Sequence, residues 1–140
     1  MDIIHAPLPP ATPGVLEVLL PVDRHTLAKR RWRGVAEDGR DFGFDLDEPL
    51  DDGVRFFQAA GATYVIAQKP EPVLEIALGA PLDSARLGWL IGNLHFSLEL
   101  AGCVIRVADD PALRQMFARE QLAFSEASRV FHPERHGHVH

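Results

Sequence analysis

Four of the seven histidines in this 140-residue chain fall within its last nine positions, as His132, His136, His138 and His140. Neutral imidazole is a good donor to nickel, copper and zinc, and histidines two and four residues apart can close around one ion without a prebuilt cage. The segment Phe131-His132-Pro133-Glu134-Arg135-His136-Gly137-His138-Val139-His140 therefore reads as a metal-binding tail. Its irregular spacing, interrupted by Pro133, Glu134 and Val139, is unlike a purification tag. Protons compete for the same nitrogens, so affinity in such a tract falls as pH drops through the imidazole range near about 6.5.

A fifth histidine, His95, stands apart. It follows Gly92-Asn93-Leu94 at the expected C-terminus of a helix, where Gly92 or Asn93 is predicted to take the left-handed conformation that turns the chain into the next strand. An imidazole at that junction suits the negative end of the helix dipole, and it also suits a ligand role. One histidine binds metal weakly. A two-fold axis beside it brings two imidazoles together and makes one shared site from two weak ones.

Other chemistries are excluded mainly by what is missing. The single cysteine, Cys103, rules out an internal disulfide framework and zinc sites built from cysteine pairs, and on its predicted strand it reads as a small buried hydrophobe. There is no Gly-x-Ser-x-Gly elbow, no phosphate-binding glycine loop and no His-Glu-x-x-His pair. Asp23-Arg24-His25 is read as extended chain, which points neighbouring side chains apart and leaves no acid–base pair. A formal charge of −6 argues against nucleic acid. Lys29-Arg30-Arg31-Trp32-Arg33 is the one basic stretch, and it reads as an amphipathic strand with Arg31 and Arg33 outward and Trp32 packed. No apolar run approaches the roughly 18 to 20 residues of a membrane span, and the N-terminus lacks a signal-peptide pattern, so the expectation is a cytoplasmic protein.

The elements that must position these residues fall into two halves. In the first, Val15–Leu20, Arg30–Ala36, Arg40–Leu46, Val54–Ala59 and Ala62–Gln68 read as strands, with Asp38-Gly39 and Ala60-Gly61 as hairpin turns and an acidic loop from Asp47 to Gly53. Lys69-Pro70-Glu71-Pro72 breaks the pattern, since closely spaced prolines are poor residues for a central strand. Beyond it come a strand Val73–Leu78 and a helix capped by Asp83 or Ser84 with Leu87, Leu90, Ile91 and Leu94 on its apolar face. A strand pair Phe96–Leu100 and Cys103–Val107 follows, then a helix begun by Pro111 behind Asp109 or Asp110, and a strand within Leu122–Val130. The order βαββαβ is that of a ferredoxin-like sandwich. Halves of about 70 residues are marginal cores, so the open sheet face or the helix face bearing Trp89 is expected to be covered in a homodimer.

The stretch Gly88-Trp89-Leu90-Ile91-Gly92-Asn93-Leu94-His95 resembles the Gly-Asn-Arg-His segment of the UreE family, the urease accessory metallochaperones. Further landmarks agree in order: the Asp38-Gly39 turn within Leu27–Leu46, Glu75 after the proline linker, Asp110–Phe117, and Phe131-His132-Pro133-Glu134 before the tail. The resemblance implies nickel bound at a dimer interface by the motif histidine of each subunit, here His95, with the tail histidines as auxiliary ligands. It also implies delivery of Ni2+ to apo-urease together with the urease accessory GTPase. Leu94 stands where that motif commonly has Arg, Leu90 where some members have a further histidine, and Asp109 and Pro111 where some carry a second histidine pair. Metal capacity is therefore expected to rest on His95 and the tail.

The reading is an α+β chain: a small N-terminal all-β domain (1–70) for peptide or partner binding, a ferredoxin-like metal-binding and dimerisation domain (71–131), and a flexible His-rich tail (132–140). Its expected role is a non-enzymatic Ni2+ carrier with ligands His95, His132, His136, His138 and His140, which Cu2+ or Zn2+ can share. The alternative is a peptide-binding or scaffolding module whose tail buffers metal.

Overall fold

The computed structural model describes residues 1–9, 16–59 and 61–135, so His136, His138 and His140 lie outside the described residues. The chain divides into two compact units, Met1–Lys69 and Pro70–His140.

The first unit contains β1 (Asp2–Ile4), β2 (Leu16–Val22), a helical turn α1 (Arg24–Leu27), β3 (Arg31–Val35), β4 (Asp41–Asp45), β5 (Arg55–Ala59) and β6 (Ala62–Gln68). These strands form two three-stranded sheets, ordered β1-β4-β3 and β2-β6-β5. The hairpins β3–β4 and β5–β6 are antiparallel, as the turn residues predict, while β1 joins β4 and β2 joins β6 in parallel. Gly39 sits in the first turn at φ +90°, a conformation that side chains with a Cβ rarely adopt. On β3, Trp32 is buried and stacks on Phe44 with ring centroids 3.9 Å apart, while Arg31 and Arg33 are exposed. The basic stretch is thus the outer face of an ordinary strand. Arg24 and His25 are not on extended chain but in the turn α1, while Asp23 before it is extended. Asp23 caps α1, accepting from the Thr26 N–H at 3.0 Å and the Thr26 hydroxyl at 2.7 Å, because a short polar side chain before a helical turn satisfies an otherwise orphaned donor.

The second unit runs β7 (Glu71–Ala77), α2 (Pro81–Asn93), β8 (Glu99–Ala101), β9 (Val104–Ala108), α3 (Pro111–Arg119) and β10 (Ser125–Arg129). Its sheet is ordered β10-β7-β9-β8, every pairing antiparallel, which is the ferredoxin-like arrangement with the first and third strands central. Leu74 and Ile76 of β7 and Ile105 and Val107 of β9 share one buried cluster with Leu87 and Ile91 of α2 and with Leu113, Met116 and Phe117 of α3. Full burial of each such side chain is worth about 1.5–3 kcal/mol, so this layer fixes the helices on the sheet.

Three local expectations are corrected. Pro72 lies inside the central strand β7 rather than in a linker. This is tolerated because its pairing position on the β9 side is at the ladder's end, where only its carbonyl is used, accepting from the Asp109 N–H at 3.1 Å. Helix α2 begins at Pro81 with Ala80 at the cap position and no side-chain cap. Proline at the first helical position has its φ preset and no N–H to satisfy, and Asp83 instead faces the positive end of the dipole from the first turn. Of the expected strand Phe96–Leu100, only Glu99 and Leu100 lie in β8.

Candidate metal centre

His95 is held by a helix ending of defined geometry. Leu94 is the C-cap of α2, and the chain closes with His95 N–H donating to the Gly92 carbonyl at 2.9 Å and Phe96 N–H donating to the Ile91 carbonyl at 3.3 Å. This pair of bonds is a Schellman motif, whose residue after the cap takes the left-handed conformation and is usually glycine. Here that residue is His95 itself, at φ 64°, and not Gly92 or Asn93. Phe96 then packs against the cluster that contains Ile91, which supplies the hydrophobic contact that accompanies the motif. Helix α3 ends the same way, with Gln121 at φ 56°, Gln121 N–H donating to Ala118 and Leu122 N–H to Phe117. A Cβ in the left-handed region costs about 1 kcal/mol or more, although histidine is among the types found there most often.

The consequence is an exposed imidazole carried on a backbone anchored to the core. The outer face of α2 leading to it exposes two large apolar side chains around the cation Arg86, which pairs with Glu120. Leu82 and Trp89, one heptad apart and so on one side of the helix, are 85% and 65% exposed. Among the described residues no three histidine, cysteine or carboxylate side chains converge on one point.

Asp109 and Asp110 are accounted for by helix α3. Asp110 is its N-cap, accepting from the Ala112 N–H at 2.8 Å, and Pro111 is the first helical residue. Asp109 receives both Nε and a terminal nitrogen of Arg114, at 2.7 and 2.8 Å, and that guanidinium holds its carboxyl below the usual carboxylate range. Cys103 is exposed in the turn before β9, not buried on a strand, because the hairpin turns at Gly102-Cys103 with Gly102 at φ +62°.

Two further features emerge on the face of the sheet away from the helices. Glu75, Arg106 and Glu99 lie directly opposite one another on β7, β9 and β8. Arg106 bridges the two carboxylates at 2.7 and 3.1 Å, with all three side chains about 13–15% exposed. The sequence signal for it was a charged residue inside each of two otherwise apolar strands. The His-rich segment, moreover, does not leave the domain at His132. The His132 N–H donates to Glu99 at 3.1 Å, the Glu134 N–H donates to the Leu98 carbonyl at 2.7 Å, and the Glu134 carboxylate accepts from the Leu100 N–H at 3.2 Å. His132 is exposed at the head of this docked segment.

Fold and site together define a two-unit α+β protein whose ferredoxin-like half presents the exposed His95 at the end of α2 and the exposed His132 on the docked segment. Residues 71–140 match the family model for the UreE urease accessory protein, C-terminal domain. The chain is 30% identical to the urease accessory protein UreE of Nitrosococcus oceani, across 95% of this chain and 84% of that protein. It is 31% identical to that of Azorhizobium caulinodans, across 84% of this chain and 61% of that protein. With that of Pseudomonas fluorescens SBW25 it shares 29% identity, across 98% of this chain and 82% of the relative. The chain belongs to the UreE family of urease accessory proteins.

Proposed function

We propose that this protein is a nickel metallochaperone that serves urease maturation, binding Ni2+ and donating it to apo-urease in concert with the accessory GTPase. The observation that carries the reading is His95, an exposed imidazole fixed in the left-handed position that ends α2, a helix that also exposes the apolar residues Leu82 and Trp89. Covering that apolar face with a second copy sets two His95 imidazoles beside one axis and gives one ion two nitrogen ligands from rigid backbone. Two ligands leave nickel unsaturated, and tail imidazoles, water or a recipient's groups complete the shell. An open shell suits a carrier, since a recipient can add its own ligands before the donor lets go.

The direct test of the biological role is activation of apo-urease in vitro by the nickel-loaded protein. The wild type is expected to support activation with limiting nickel in the presence of a competing chelator, and His95→Ala to support little more than free nickel does. Equal activation by both proteins contradicts the proposal.

A further inference from the structure

In the first unit β3 is an edge strand, since its sheet is ordered β1-β4-β3. The bonds that continue its antiparallel ladder with β4, Leu46 N–H to the Arg30 carbonyl and Ala36 N–H to the Arg40 carbonyl, set the alternation along the strand. Arg30, Trp32, Gly34 and Ala36 turn their backbone groups toward β4, and Arg31 and Arg33 turn theirs outward. Among the described residues those outward groups meet no backbone partner. Neighbouring edges are treated differently. Leu8 N–H donates to the Arg55 carbonyl on the edge strand β5 at 2.9 Å, and on the edge strand β2 the Leu19 carbonyl accepts from the Glu37 N–H at 2.8 Å while Pro21 brings no N–H.

The side chains along the β3 edge are basic. Lys29, Arg30, Arg31 and Arg33 fall within five positions of a chain whose formal charge is −6. Of the four, only Arg31 has an ion-pair partner among the described residues, Asp45 at 3.0 Å, and that exposed pair is weak and open to exchange. At the Arg30 end of the strand a cleft of about 790 Å³ opens between residues 28–31 and residues 45–47 with Pro49. The Trp32 indole, 8% exposed, stacks on Phe44 of the neighbouring strand, so its plane stands along β3 and its two edges look up and down the strand. Its Cζ3 lies 3.0 Å from where Gly34 would carry a Cβ, so the opposite edge, with Nε1, looks toward Arg30 and the cleft. That N–H is buried and has no acceptor among the described residues.

We propose that the outer edge of β3, with the cleft at its Arg30 end, docks an extended acidic segment of a partner protein, which adds to the sheet as a further strand. The backbone groups of Arg31 and Arg33 supply the ladder, and acids two residues apart on the added strand stand beside their guanidinium groups. The residue that passes Arg31 seats a carboxylate in the cleft, where Lys29, Arg30 and the orphaned Trp32 N–H are the donors. Asp45 and Asp47 on the facing wall limit the cleft to one such group. The site lies in the first unit and does not depend on the metal reading of His95.

The experiment uses the full chain and a capped peptide, Glu-Val-Glu-Val-Glu, with amide and indole N–H signals followed by NMR. The peptide is expected to slow hydrogen exchange at the Arg31 and Arg33 amides and to shift the Trp32 indole N–H while leaving that of Trp89 in place. Gln-Val-Gln-Val-Gln with the wild type, and the acidic peptide with the double variant Arg31→Gln/Arg33→Gln, are each expected to bind about three- to tenfold more weakly, because the charge pairs are lost while the edge remains. Binding that leaves the two amides unprotected, equal affinity for the neutral peptide, or no binding at millimolar peptide overturns the proposal. Protection of the same amides in the protein alone, growing with its concentration, assigns the edge to a second copy and overturns it as well.

Discussion

At the scale of the residue, the role proposed for His95 and the stability of the fold stand in opposition. Its left-handed backbone, φ 64°, is where glycine is favoured, yet an imidazole stands there. His95→Gly relieves the Cβ strain at some cost in unfolded-state entropy, for a net gain of about 0.5–1 kcal/mol. The expected outcome is a variant that unfolds at higher urea than the wild type and has lost its tight nickel binding. A marked loss of stability in His95→Gly contradicts the strain argument. The sequence revealed that a left-handed residue ends α2, but the presence of Gly92 and Asn93 pointed to the wrong one. Which residue occupies that position depends on where the last helical hydrogen bond forms, and Phe96 packing against the Ile91 cluster decides it.

At the scale of the element, side-chain ties set the pH response of the first unit. The Tyr64 hydroxyl on β6 donates to Asp38 in the β3–β4 turn, joining one hairpin to the other sheet, and this bond is the main reason the Asp38 carboxyl lies below its ordinary value of 3.8. A lowered folded value means stability present above the unfolded carboxylate range and lost as pH falls through the folded one. Tyr64→Phe should therefore lose less stability than the wild type between pH 6 and pH 2.5 in urea unfolding of the first unit, the remaining decline coming partly from Asp23, whose value is also lowered. An acid-induced loss as large as that of the wild type contradicts the assignment. Hairpins were legible because turn glycines and alternation are local signals, as with Gly39 and Trp32. The parallel pairings of β1 with β4 and β2 with β6 were not, since nothing within a short strand specifies a partner tens of residues away. The βαββαβ order of the second unit was read correctly from periodicity, but Pro72 concealed the start of β7 because its tolerance there depends on the ladder ending beside it.

At the scale of the whole molecule, the account requires two copies. Among the described residues no three metal-ligating side chains converge around His95, and the exposed Leu82 and Trp89 on the helix that ends there supply apolar area that a partner can cover. Trp89→Glu places a charge on that face without touching the buried cluster. It is expected to convert the dimer to monomer in light scattering at micromolar concentration with unchanged circular dichroism, and to weaken nickel binding at least tenfold. An unchanged mass contradicts this choice of interface. Under the proposed function the tail histidines, legible from composition alone, supply further ligands to an ion that two His95 side chains leave unsaturated. The most direct test of this central claim is nickel calorimetry on the full chain and on His95→Ala. The account predicts a tight class near one ion per dimer in the wild type, absent in the variant, with weaker tail sites retained in both. Tight binding of the same stoichiometry and affinity in His95→Ala would contradict it.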